Sequence, residues 1–66
     1  MVTEFQFMEN GHIIDFQESD TGKFLTIGDL VILQKQYFKV CSKTCDVYNG
    51  KWIIVLDNIY IIPNGD

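Results

Sequence analysis

The sequence contains no arginine, and its five basic residues are all lysines. Nine acidic residues leave a formal net charge of −4. Arginine is the side chain best suited to bidentate contacts with phosphates and bases. The composition therefore disfavours a protein whose main task is to read nucleic acid.

Cysteine is also scarce, since only Cys41 and Cys45 are present. A small secreted domain stapled by disulfides usually carries four or more. Together with His12 and Asp46, the two cysteines supply residue types that bind zinc, but the second matched pair of a structural zinc site is missing. We therefore expect two free cysteines packed as small apolar residues, with no metal and no cofactor.

Long hydrophobic runs are absent. The longest, residues 30–33 and 52–56, are far shorter than the roughly 20 residues that a membrane-spanning helix needs. The first residues include Glu4, where a secretory signal would carry lysine or arginine. The sequence thus predicts a cytoplasmic protein that does not enter a membrane.

Signatures of catalysis are missing as well. His12 is the only histidine, no nucleophile motif surrounds a serine, and the carboxylates are scattered. A chain of 66 residues forms one small domain, here residues 1–66, with little room for a deep substrate cavity. We therefore do not expect an enzyme.

What the sequence does contain is a period of two. Thr3, Phe5 and Phe7 alternate with polar neighbours, as in a half-buried strand. Asn10-Gly11 and Asn49-Gly50 each predict a tight hairpin, because both residue types accept the positive φ angles of a type I′ turn. No stretch of ten residues has helical spacing.

Further strands follow the same pattern along the chain. The apolar run at residues 30–34 is typical of a strand covered on both faces, whereas polar residues at 42–44 and 57–58 are expected to interrupt strands. The resulting fold class is all-β, a small barrel of five to seven short antiparallel strands. A barrel is favoured because so short a chain has few ways to protect open sheet edges.

Residues 24–63 resemble SH3-like small barrels. Gly28-Asp29 followed by an apolar strand is similar to the segment after the long first loop of such barrels, and Asn49-Gly50 takes the place of their distal hairpin. The resemblance implies one helical turn near residues 56–59 and a last strand ending at Pro63. The aromatic and proline motifs of the peptide-binding groove are not matched, so no peptide specificity carries over.

Two surfaces are candidates for binding. The first is the outer side of strand 52–56, where Ile53 and Val55 are apolar although the opposite side already supplies the core. The second is a strand face of lysines and an aromatic residue, comprising Lys35, Tyr37 and Lys39 with Lys43 just beyond, which is suited to hold nucleic acid by charge and stacking.

The function that these features favour is a non-enzymatic protein-interaction module or small regulatory accessory protein. Its partner is expected to be another protein, with a second copy of the chain as a further option. The alternative is weak binding of single-stranded nucleic acid by the lysine and tyrosine face, against which the net negative charge counts.

Overall fold

The computed structural model describes residues 1–61 and confirms the all-β fold class. A single 3-10 turn, Thr21–Phe24, is the only helical segment among these residues. The five strands are β1 (Val2–Phe7), β2 (Ile13–Gln17), β3 (Leu30–Leu33), β4 (Gln36–Asp46) and β5 (Lys51–Ile61). They form one curled, half-barrel sheet, which is consistent with a small barrel.

The strand order across the sheet is β2-β1-β5-β4-β3. β1 runs parallel to β5, from Val2 beside Lys51 to Phe7 beside Leu56. The other three neighbouring pairs are antiparallel. The prediction of antiparallel strands throughout is therefore wrong at this one pair. Hairpin turns dictate the direction of strands that follow one another, but no turn joins β1 to β5.

The core lies on one side of this sheet, where β1, β4 and β5 contribute alternate residues. Its fully buried apolar side chains are Phe5, Phe38, Val40, Ile54 and Leu56. Trp52 and Phe7 are partly buried and pack against them, and the Phe7 and Phe38 ring centroids are 5.9 Å apart. The predicted period-two alternation in β1 and β5 is thus confirmed.

Glycine allows two of the three hairpin turns. Gly11 has φ +71° and Gly50 has φ +67°, angles that glycine adopts without steric cost. Both predicted hairpins are confirmed, because β1 folds back on β2 and β4 on β5. The type I′ geometry is wrong, because Asn10 and Asn49 do not share the positive φ of the glycines that follow them. The third turn, between β3 and β4, contains no glycine: Gln34 and Lys35 themselves have φ +52° and +62°.

β4 and β5 are longer than the sequence pattern suggests. Residues 42–44 lie inside β4 and residues 57–58 inside β5, so the predicted interruptions are wrong. Each strand instead absorbs an irregularity as a bulge: Val40 faces Leu56 and Ser42 faces Val55, which leaves Cys41 as the extra residue. Ser42, Thr44 and Asp57 lie on the side of the sheet away from the core, whereas Lys43 and Asn58 are opposite Ile54 and Phe38 on the core side.

The predicted helical turn near residues 56–59 is wrong, because these residues continue β5. The helical turn lies instead in the polar segment after β2, where its Gly22 packs against the core. The predicted end of the last strand at Pro63 falls outside the described residues. Within residues 1–61, no helix is long and apolar enough to cross a membrane.

Candidate interaction surface

The side of the sheet away from the core, here called the outer face, retains large apolar side chains. Strand register assigns them to this side, because residues directly opposite in neighbouring strands point the same way. Phe16 is opposite Glu4, which is opposite Ile53, while Leu30 and Ile32 are opposite Lys39 and Tyr37. Four apolar side chains of the outer face are more than half exposed: Ile13 60%, Phe16 51%, Leu30 64% and Ile32 57%.

Ile53 and Val55 lie at the centre of the outer face, as the sequence predicts. Both are half-buried. Ile53 lies between Glu4 and Thr44, and Val55 lies in the next row of the same face, flanked by polar residues of β1 and β4. The outer face therefore has apolar residues at its centre and on β2 and β3, with polar and charged side chains of β1 and β4 between them.

Glu4 is a buried carboxylate within this face, with only 6% of its surface exposed. It accepts hydrogen bonds from Gln6 Nε2 and from Lys51 Nζ, the latter at 3.1 Å. The hydrogen bond from Gln6 lowers the pKa of Glu4 below its ordinary value; burial acts against it, and the Lys51 ammonium lowers it further. The carboxylate is thus charged and paired, and it joins β1 to β5.

The four predicted residues of the lysine and tyrosine face do not lie on one side of the sheet. Tyr37 and Lys39 belong to the outer face, and Lys35 lies in the adjoining turn. The bulge at Cys41 reverses the alternation, so Lys43 is opposite the buried Ile54 and reaches toward the core side. An unbroken period of two would have kept Lys39 and Lys43 together.

Lys43 is instead engaged with the segment around the 3-10 turn. Its Nζ donates to the carbonyl oxygens of Lys23 at 3.0 Å and Leu25 at 2.8 Å, and it lies 4.7 Å from the centre of the Trp52 ring. Trp52 Nε1 in turn donates to Asp20 Oδ1 at 2.6 Å. These contacts fix the turn over one end of the core.

The same turn is also held by close packing of Gly22 against Trp52. A Cβ atom at Gly22 would lie 2.6 Å from Trp52 Cβ, so the backbone approaches the tryptophan as only glycine permits. The Gly22 N–H donates to Thr3 Oγ1 at 2.8 Å, and that hydroxyl donates to the Ser19 carbonyl at 2.9 Å. The polar segment at residues 18–23 is therefore anchored at several points.

The residues considered for metal binding are dispersed. Cys41 and Cys45 are free cysteines, and His12 is exposed beside the first hairpin turn. Asp46 accepts hydrogen bonds from Asn49, which lower the pKa of its carboxyl. In the described part of the chain, no three His, Cys, Asp or Glu side chains are grouped as metal ligands.

An open depression of about 400 Å³ lies between the first hairpin turn and the middle of β5. Its polar lining consists of Glu9, Asn10, Asp57 and Asn58, beside Phe7 and Leu56. None of the lining residues is a serine, cysteine, histidine or lysine. The depression therefore offers carboxylates and amides but no paired nucleophile and base.

Four of the exposed apolar residues were missed by sequence reasoning. Strict alternation would place Ile13 and Phe16 on opposite faces of β2, but a register shift beside Ile14 places both on the outer face. The run at residues 30–33 was interpreted as a doubly covered strand, which is wrong because β3 is an edge strand with one exposed side. The sequence shows that these strands are apolar. Only the strand order shows that they lie at the edges of the sheet, where part of their apolar surface stays exposed.

Comparisons of the chain with protein families, with curated protein sequences and with solved structures found no match. The likeness to SH3-like barrels therefore stays a resemblance.

Proposed function

We propose that this protein is a non-enzymatic interaction module, a small regulatory accessory protein that binds a partner protein through the outer face. The observation that carries the proposal is the exposure of Ile13 and Phe16 in the same rows of the sheet as Ile53 and Val55. Leu30 and Ile32 are exposed on the same side, at the far edge of the sheet. Apolar surface exposed in this way marks interaction sites, because its removal from water stabilises a complex.

The polar groups of the outer face suit it to a specific partner. The polar side chains of Gln6, Ser42 and Thr44 lie beside the apolar residues of β5. Asp57 lies opposite Lys39. Alternating apolar contacts and charges fix the orientation of a partner better than a uniform apolar patch does. The proposal requires no cofactor, and the free cysteines favour a reducing, cytoplasmic location.

The proposal is tested by affinity capture from an extract of the source cell, with bound proteins identified by mass spectrometry. We expect a protein that binds the parent and is lost with the double variant Ile13→Gln/Phe16→Gln. The matched control is Val47→Gln/Tyr48→Gln, which changes two apolar residues at the β4–β5 turn that are even more exposed and should retain the partner. Equal capture by both variants would contradict a role for the outer face.

Single-stranded nucleic acid is the second proposed partner, supported by Tyr37 and Lys39 on the same face with Lys35 in the adjoining turn. In the same set of experiments, oligonucleotide binding that weakens steeply with salt and is lost in Lys35→Glu/Lys39→Glu would favour this alternative. No binding at low salt would remove it.

A further inference from the structure

The outer edge of β3 has backbone groups that no neighbouring strand pairs within the described residues. β3 is the last strand in the sheet order and pairs only with β4. The Asp29 carbonyl accepts a hydrogen bond from Val40 N at 2.9 Å. Since bonded and non-bonded positions alternate along an antiparallel pair, Val31 bonds to β4 while Leu30 and Ile32 direct their N–H and C=O groups outward.

Apart from its short length, this edge lacks the features that usually protect an edge strand. Natural edges carry charges, prolines or bulges that prevent pairing with other chains. β2, at the opposite end of the sheet, has Asp15 and a register shift. β3 is Leu-Val-Ile-Leu, with regular pairing along its whole length. The same two residues that direct backbone groups outward, Leu30 and Ile32, have exposed side chains.

We infer that β3 is a self-association edge, at which two copies of this chain pair their β3 strands antiparallel about a two-fold axis at Val31. In this register each Leu30 faces Ile32 of the other copy, and the two facing pairs exchange four backbone hydrogen bonds. Facing side chains point the same way, so the four exposed apolar residues meet on the outer face. The two sheets become one continuous sheet.

Charge at the ends of β3 favours a second copy in this antiparallel arrangement. Asp29 precedes the strand and Lys35 follows it in the turn. Antiparallel pairing brings the Lys35 end of one copy beside the Asp29 end of the other, and it does so twice. A parallel arrangement would instead bring like charges together. β3 thus supplies the apolar contacts of the antiparallel pair, and the two charged residues that flank it supply complementary charges.

The contact is small by the standard of stable protein complexes, because each copy contributes one four-residue strand. We therefore expect a reversible dimer whose population rises with protein concentration. The inference concerns the edge of the sheet and goes beyond the proposed partner on the outer face. The two are separable because the capture experiment alters β2, which takes no part in this pairing.

Sedimentation equilibrium over a wide concentration range tests the dimer. The parent should approach twice the monomer mass, while Ile32→Lys, which places a charge at an exposed position in the middle of the edge, should remain monomeric. Ile13→Lys, an equally exposed position on β2, is the matched control and should dimerise like the parent. Lys35→Glu should weaken association by about threefold or more, because it opposes two acidic groups.

Amide hydrogen exchange on the unaltered protein gives a readout that does not depend on any variant. At high concentration the Leu30 and Ile32 amides should become protected, while those of the β2 edge should not change. A parent that stays monomeric at every concentration, or an Ile32→Lys variant that dimerises normally, would overturn the inference. Protection of these amides only when a different protein is added would also overturn it.

Discussion

Thr3 shows how one hydroxyl can determine the position of a loop. It is fully buried in β1, yet it accepts a hydrogen bond from Gly22 N and donates one to the Ser19 carbonyl. Both partners lie in the segment that connects β2 to β3. At the residue scale, this hydroxyl replaces the water that those two backbone groups would otherwise bind.

We expect Thr3→Val to lower the free energy of unfolding by about 1–3 kcal/mol, because a side chain of the same shape leaves a buried donor and acceptor unpaired. Urea denaturation measures the change. The matched control is Thr44→Val on the exposed outer face, which should alter stability far less. Similar losses in the two variants would contradict the role assigned to the Thr3 hydroxyl.

At the scale of the element, the β3–β4 hairpin has the one hairpin turn within residues 1–61 that contains no glycine. Gln34 and Lys35 both adopt positive φ, a conformation that costs a side-chain-bearing residue roughly 1–2 kcal/mol. The flanking strands impose it, because a two-residue connection matches their twist only in this geometry.

Gln34→Gly should therefore raise the free energy of unfolding by about 1 kcal/mol, after allowing for the greater flexibility of glycine in the unfolded chain. The urea midpoint reports this gain. Gln36→Gly, two residues further along in β4, should instead destabilise the protein. An unchanged or lower midpoint for Gln34→Gly would indicate that the turn carries no strain.

Elements whose pattern is local were predictable from sequence. The two Asn-Gly turns and the inward alternation of β1 and β5 depend on neighbouring residues alone. The bulge at Cys41 was not predictable, because one extra residue in β4 is decided by the strand it pairs with. That bulge removed Lys43 from the predicted binding face, while Ile53 and Val55, within a regular stretch, were placed correctly on the outer side.

At the scale of the whole molecule, the pair of Glu4 and Lys51 joins β1 to β5, two neighbouring strands of the sheet that are far apart along the chain. The Gln6 hydrogen bond and Lys51 lower the pKa of Glu4 from its ordinary 4.5. A carboxyl with a lowered pKa in the folded state adds stability above its ordinary pKa. That stability is lost as the pH falls through the lowered value, because the unfolded chain binds the proton more readily.

We expect the thermal midpoint of the parent to fall on acidification from about pH 6 to about pH 3, and to fall less steeply in Glu4→Gln. Lys51→Gln, which removes the cation but leaves Gln6, should lie between the two. Thermal unfolding followed by circular dichroism across this range gives the comparison. A Glu4→Gln variant with the parent's full pH dependence would contradict the contribution of this carboxylate.

The parallel pairing of β1 with β5 also has a consequence in time. β1 is flanked by β2 and β5, and 43 residues separate Phe7 from Lys51. At a synthesis rate of roughly 5 to 20 residues per second, β1 waits roughly 2 to 9 seconds for its second neighbour to be made. Until β5 is available, the first hairpin lacks the strand whose Ile54 and Leu56 pack with Phe5 and Phe7 in the core. Ribosome speed therefore sets the earliest moment at which this sheet closes, and slow synthesis prolongs the period when a chaperone can bind it.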